Sequence, residues 1–160
     1  MKGVQGRAAL VGIGILLVAC VATRAYAGAE DWNDANIKWV AYEDGLKAAE
    51  SSNRPICLIF FTSWCPHCAN YSKVFSDPEV VKKSKSFVMV RADAEKNHEL
   101  SDKFKPDGAY IPRTYFLSPR GVLDESLSEG RDQYKYFYDE HNPSSILAGM
   151  DRALRKLVPQ

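Results

Sequence analysis

At 160 residues, with 46% hydrophobic and 26% charged residues, the chain has the size and composition of one globular domain around a single core. Cations and acids nearly cancel: the formal net charge is +1 for the whole chain, and −2 (18 basic, 20 acidic) once residues 1–27 are set aside. That balance leaves no basic stripe to neutralise phosphates, so nucleic acid is excluded as an expected partner.

The chain opens like an address. Residues 1–7 carry Lys2 and Arg7 and no acid, and residues 8–22 are an unbroken apolar or small run of 15. This pattern predicts a secretory leader over 1–27, with Ala25-Tyr26-Ala27 offering small residues at the two positions a signal peptidase reads and Gly28 as the new N-terminus. The run falls short of the roughly 20 apolar residues that span a bilayer, which sets an uncleaved anchor behind cleavage. A competing reading rests on Leu17-Val18-Ala19-Cys20, which resembles a bacterial lipoprotein box; Cys20 would then be lipidated and tether the domain to a membrane. Both readings export residues 28–160 as one domain. The C-terminal Leu157-Val158-Pro159-Gln160 is not an endoplasmic-reticulum retention signal, so the periplasm is the expected compartment, ahead of the endoplasmic-reticulum lumen.

Within residues 39–50, Tyr42, Leu46 and Ala49 recur at helical spacing, and Ser51-Ser52-Asn53-Arg54-Pro55 ends the pattern, predicting an amphipathic helix. Residues 56–61, Ile-Cys-Leu-Ile-Phe-Phe, are apolar without alternation, the mark of a central strand buried on both faces. Asp77-Pro78-Glu79 starts a short helix with an acceptor at the cap and proline in the first turn. Residues 87–92 read as a second strand and 97–104 as a weak helix or loop. Residues 114–117 and Val122-Leu123 flank Ser118-Pro119-Arg120-Gly121, a type I turn signal, and predict a hairpin. Residues 126–141 are irregular and rich in aromatics (Tyr134, Tyr136, Phe137, Tyr138); they pack on the domain or receive unfolded substrate. Asn142 caps a last helix starting at Pro143, with Ile146, Met150, Ala153, Leu154 and Leu157 on one face. The order predicts an α/β fold, a mixed central sheet with helices on both faces.

The chemistry sits in Trp64-Cys65-Pro66-His67-Cys68, which joins the buried strand to a helix. Proline is best tolerated at the first helical position, which makes Cys65 the N-cap. Its sulfur then faces free backbone N–H groups and the positive end of the helix dipole, which favour the thiolate, the attacking species. Cys68, three residues on, shares the helical face and can resolve a mixed disulfide from inside. His67 adds a ring that can hydrogen-bond or carry charge beside the thiolate and shift the pair toward an oxidant. The same cysteine spacing occurs in zinc sites, but structural zinc takes four ligands, and Cys57, His98 and His141 do not form a second pair; no metal and no cofactor are expected. Cys57, inside the strand, reads as a buried inert thiol.

These residues, with Ile111-Pro112 before another strand, resemble the thioredoxin superfamily, and Cys-Pro-His-Cys is the choice of DsbA-type oxidants. The stretch 39–45, Pro106-Asp107-Gly108-Ala109-Tyr110-Ile111-Pro112-Arg113, Phe116-Leu117-Ser118-Pro119 and Tyr134-Lys135-Tyr136-Phe137-Tyr138 are similar to the small endoplasmic-reticulum thioredoxin-domain proteins of the anterior-gradient family. The resemblance implies a thioredoxin-like fold and a thiol–disulfide oxidoreductase. It also implies a cis-proline at Pro112 that, with Ile111 and Trp64, holds an extended segment of a client protein beside the dithiol, and a partner protein that recycles the pair. Two departures stand out: Ile59 replaces the buried acid that thioredoxins place six residues before the first cysteine, and Arg113 stands where many have threonine, implying altered substrate-facing chemistry. Two other functions fit the same residues: a dedicated reductase in cytochrome or copper-site maturation, and a non-catalytic client-binding module using the groove beside Pro112 and the segment from Tyr134 to Tyr138.

Overall fold

The computed structural model describes residues 31–158. The predicted leader, its cleavage site and the lipoprotein-like Leu17-Val18-Ala19-Cys20 lie outside the described residues. In chain order the elements are β1 (Trp39–Val40), α1 (Tyr42–Ser52), β2 (Ile56–Phe61), α2 (Pro66–Val74), α3 (Pro78–Ser84), β3 (Val88–Asp93), α4 (His98–Lys103), β4 (Arg113–Leu117) and α5 (Pro143–Leu157).

Four strands form one mixed sheet in the order β1-β3-β2-β4. β3 runs parallel to both β1 and β2, and β4 pairs antiparallel with β2, Ile59 opposite Thr114 and Leu58 opposite Tyr115. β2 is therefore interior, as its unbroken apolar run requires. Its side chains alternate between two cores. Cys57 and Ile59 join Tyr71 of α2, Val80 of α3 and Ile146, Met150 and Ala153 of α5 on one face. Ile56, Leu58 and Phe60 join Tyr42 and Ala49 of α1 on the other. Helices cover both faces.

The structure refines three expectations, correcting the start of the first helix and the length of the hairpin's second arm. The helical pattern assigned to residues 39–50 begins only at Tyr42, because Trp39 and Val40 pair with Met89 and Val90 as a two-residue edge strand. Residues 97–104 contain a one-and-a-half-turn helix. The predicted hairpin closes as expected: Gly121 N–H donates to the Ser118 carbonyl at 2.9 Å, and Ser118 N–H to that of Val122 at 2.9 Å. Its second arm is one bridge, Leu117 to Leu123, because Asp124 turns the chain away by accepting from the amide and hydroxyl of Ser126. Gly121 is needed there because its φ is +74°, a backbone conformation that side chains other than glycine's rarely adopt.

The aromatic stretch mostly packs. Tyr136 and Tyr138 are buried, Tyr138 edge-on to Phe116 at 5.9 Å and Tyr136 tilted against Tyr115 at 4.5 Å. Tyr138 lies against α5 where Gly149 lets it approach; a Cβ at Gly149 would sit 2.6 Å from its ring. Tyr134 is 55% exposed and stacks edge-on to Tyr110.

Candidate active site

The dithiol forms where β2 ends and α2 begins. After Phe61 the chain turns through Thr62, whose carbonyl accepts from Cys65 N–H at 3.4 Å, and Pro66 takes the first helical position. Cys65 is the N-cap in extended backbone, and its Sγ accepts the Cys68 amide N–H at 3.4 Å. A sulfur here takes the place of the oxygen of an ordinary cap, so one orphan helix donor is aimed at the atom that would carry negative charge. Cys65 keeps 4% exposure whereas Cys68 has none, so of the pair only Cys65 reaches solvent.

Facing the dithiol is the start of β4. The Ile111–Pro112 peptide is cis, and the Ile111 carbonyl lies 3.9 Å from Cys65 Sγ, which donates its S–H to it. Pro112 is buried and Ile111 half-buried. The loop is held by Asp107, whose carboxylate accepts from the Tyr110 hydroxyl (2.8 Å) and from Lys135 N–H (2.7 Å), while the Tyr110 oxygen accepts from Tyr136 N–H (2.9 Å). Thr114 is fixed by its N–H to the Tyr136 carbonyl and by a 3.0 Å hydroxyl contact with Tyr71 of α2. Helix α2 and the proline loop are thus locked to each other. Trp64 stands 66% exposed beside Cys65, its indole N–H donating to Glu95 at 3.0 Å.

Arg113 is placed differently from what sequence suggested, and His67 has a partner the sequence did not show, whereas Ile59 and Cys57 lie as expected. The Nδ1 of His67 lies 3.0 Å from both carboxylate oxygens of Glu140, and its ring meets Phe137 edge-on at 5.9 Å, so the polar contact of the ring is with a carboxylate. Arg113 does not face substrate. It is fully buried on the opposite face of the sheet, its guanidinium 4.5 Å over the Phe60 ring and donating to the carbonyls of Phe104, Tyr110 and Ser101. Ile59 is buried in the apolar cluster that holds both active-site cysteines, so the position of the thioredoxin acid is filled with hydrocarbon. Cys57 is fully buried, and burial pushes its thiol pKa far up, leaving it protonated. Among the described residues no three His, Cys, Asp or Glu side chains gather to hold a metal ion.

Glu140 and Glu95 were invisible as partners in the sequence. Glu140 lies 73 residues from His67, and no local spacing signals such a pairing. The Asp107–Tyr110 contact, at i and i+3, was the one with a local trace.

The arrangement places one accessible sulfur at a helix N-terminus, a second sulfur behind it and an extended strand start alongside: the requirements for forming and resolving a mixed disulfide. Residues 38–119 match the family described as Thioredoxin-like, and the chain belongs to it. With this dithiol in place it is of the thiol–disulfide oxidoreductase class. Within that class it stands close to the anterior-gradient proteins: the anterior gradient protein 2 homolog of Homo sapiens is 30% identical over 128 residues, 79% of this chain and 71% of the relative. Anterior gradient protein 3 of Xenopus tropicalis is also 30% identical, over 130 residues covering 79% and 76%. Among solved structures, a thioredoxin from Thermus thermophilus superposes with a TM-score of 0.61 at 20% identity, covering 77% of this chain and 91% of that one. A DsbH oxidoreductase superposes with a TM-score of 0.58 at 21% identity, covering 91% and 96%.

Proposed function

We propose that the protein exchanges disulfides with client proteins in an exported compartment, with Cys65 as the sulfur that attacks or is attacked. The observation that carries this is the position of Cys65 Sγ, between the Cys68 N–H and the Ile111 carbonyl, as the one sulfur of the pair open to solvent. In the reducing direction the Cys65 thiolate attacks a client disulfide, expelling one client thiolate and forming a mixed disulfide. Cys68 then attacks Cys65 Sγ, expelling the second client thiolate and leaving the Cys65–Cys68 disulfide. The oxidising direction is the reverse, with a client thiolate attacking Cys65 and Cys68 leaving. A partner protein returns the pair to its starting state. Trp64, Ile111 and Pro112 supply the surface along which an extended client segment lies.

The potential decides direction. Equilibration in glutathione buffers should give a value more oxidising than thioredoxin's, above about −270 mV and toward the −120 mV of a strong oxidant. A value at the thioredoxin end would make this a reductase of the kind used in metal-site maturation.

Cys68→Ala is expected to accumulate client–protein mixed disulfides, visible on non-reducing gels, since the attacking sulfur remains and the resolving one is gone. Equal capture after Cys65 is also replaced would show that binding, not exchange, holds the clients.

Export is supported by the leader-like residues 1–27. Mass spectrometry of the secreted protein should find Gly28 first; a diacylglyceryl mass on Cys20 would instead place the enzyme on a membrane surface.

A further inference from the structure

One carboxylate outside the dithiol motif is built into its surroundings. Glu140 lies in the turn that leads into α5, its side chain only 12% exposed, with both oxygens 3.0 Å from His67 Nδ1 and Oε1 3.3 Å from His141 Nε2. The turn is itself rigid. Asp139 accepts from the backbone N–H groups of His141 (2.8 Å) and Asn142 (3.2 Å), and its own N–H donates to Ser145 Oγ (3.0 Å), which in turn donates to Glu129 (2.7 Å).

His67 needs such a partner to be a defined element of the site. It occupies the second position of α2 with its side chain 60% exposed, and an imidazole that open to water samples several rotamers and both neutral tautomers. A carboxylate accepts only, so Nδ1 must carry the proton that points at Glu140, and Phe137 stands against the ring edge-on. Nδ1 is thereby committed to Glu140 and Nε2 is the ring's remaining polar atom, an acceptor when the ring is neutral and a donor when it is protonated.

We propose that Glu140 is a positioning residue for the dithiol: by holding His67 Nδ1–H it fixes the tautomer and orientation of the ring and so delivers His67's contribution to the Cys65–Cys68 couple. The proposal rests on the exchange function above, but its test does not. The potential of the pair can be measured whether or not a client is turned over, so failure of the Glu140 cycle with exchange intact removes only Glu140, and absence of exchange removes the parent reading.

The experiment is a double-mutant cycle. Reduction potentials are measured in glutathione buffers for the wild type, Glu140→Ala, His67→Gly and the double variant, with thermal unfolding as the control for folding. A thiolate is stabilised only by a ring that donates, which with Nδ1–H held by Glu140 is the doubly protonated ring; Glu140→Ala removes the carboxylate that pairs with that ring and orients it, so the reduced form loses His67's stabilisation. The direct effect of removing a negative charge is present in both backgrounds and cancels in the cycle. Relative to its effect in His67→Gly, Glu140→Ala is expected to make the pair about tenfold easier to oxidise, a fall of about 30 mV. Glu140→Gln keeps the side chain's shape and serves if the alanine variant folds poorly; its shift should have the same sign and smaller size. Equal shifts in both backgrounds would overturn the proposal. A second readout is independent of redox: imidazole nitrogen NMR, followed to alkaline pH until the neutral ring is seen, should show His67 as the Nδ1–H tautomer in the wild type and not in Glu140→Ala. An unchanged tautomer would also overturn it.

Discussion

Cys65→Ser is expected to reduce disulfide exchange on a model substrate to the rate of the buffer alone, while Cys57→Ser leaves it within about twofold of wild type. Both residues are cysteines and both are buried by area, so the difference has to come from their surroundings. Cys65 caps α2, where the Cys68 N–H and the positive helix end face its sulfur and stabilise a negative charge on it. Cys57 is in the middle of β2, enclosed by apolar side chains, and desolvation holds it as the thiol, which is not a nucleophile. A serine hydroxyl at position 65 would keep the cap but remain protonated and could not form a disulfide. Its backbone geometry and burial should be unchanged, so the loss must appear in activity without a loss of stability. Residual exchange in Cys65→Ser, or a comparable loss in Cys57→Ser, would mean that the helix-start geometry does not select the nucleophile.

How far the sequence carried depended on whether a residue's partner was close in the chain. β2 was legible because a strand buried on both faces must be apolar throughout, and Asp77, Asn142 and Cys65 were legible as caps because a cap's partners lie two or three residues away. β1 was not, since two residues beside a helical pattern carry no period of their own and their partners, Met89 and Val90, are 50 residues on. His67 was identified as a tuning group from its place between the cysteines, but what its ring touches is set by Glu140 and Phe137, brought in by the segment before α5. Arg113 could have been read correctly. Standing next to Pro112, it suggested a role toward substrate, yet strand alternation sends Arg113 to the face opposite Thr114, and Thr114 is the residue that meets Tyr71 of the dithiol helix.

That placement makes Arg113 costly to replace: Arg113→Leu is expected to destabilise the domain by about 3–5 kcal/mol. The guanidinium is fully buried and donates to three backbone carbonyls, those of Ser101, Phe104 and Tyr110, and to the Ser101 hydroxyl. Burial pushes its pKa down from the ordinary arginine range, the expected sign for a cation withdrawn from water. The ring of Phe60 and the fork of carbonyls offset that withdrawal. Leucine would cover Phe60 but leave those acceptors buried without donors, at about 1–3 kcal/mol each before relaxation. For a domain of this size such a loss lowers the melting temperature by roughly 10–20 °C. Arg113→Lys separates charge from geometry: an ammonium keeps the charge but cannot reach three divergent carbonyls as a planar fork does, so it should recover less than half of the loss. The consequences extend to the site, because the three carbonyls belong to residues 101–110, the segment that leads into Ile111 and Pro112. Folded Arg113→Lys should therefore show slower exchange together with lower stability, measured as the urea midpoint and the rate on the same preparation. A lysine variant as stable as wild type would show that charge alone, not the forked hydrogen bonding, anchors the proline loop.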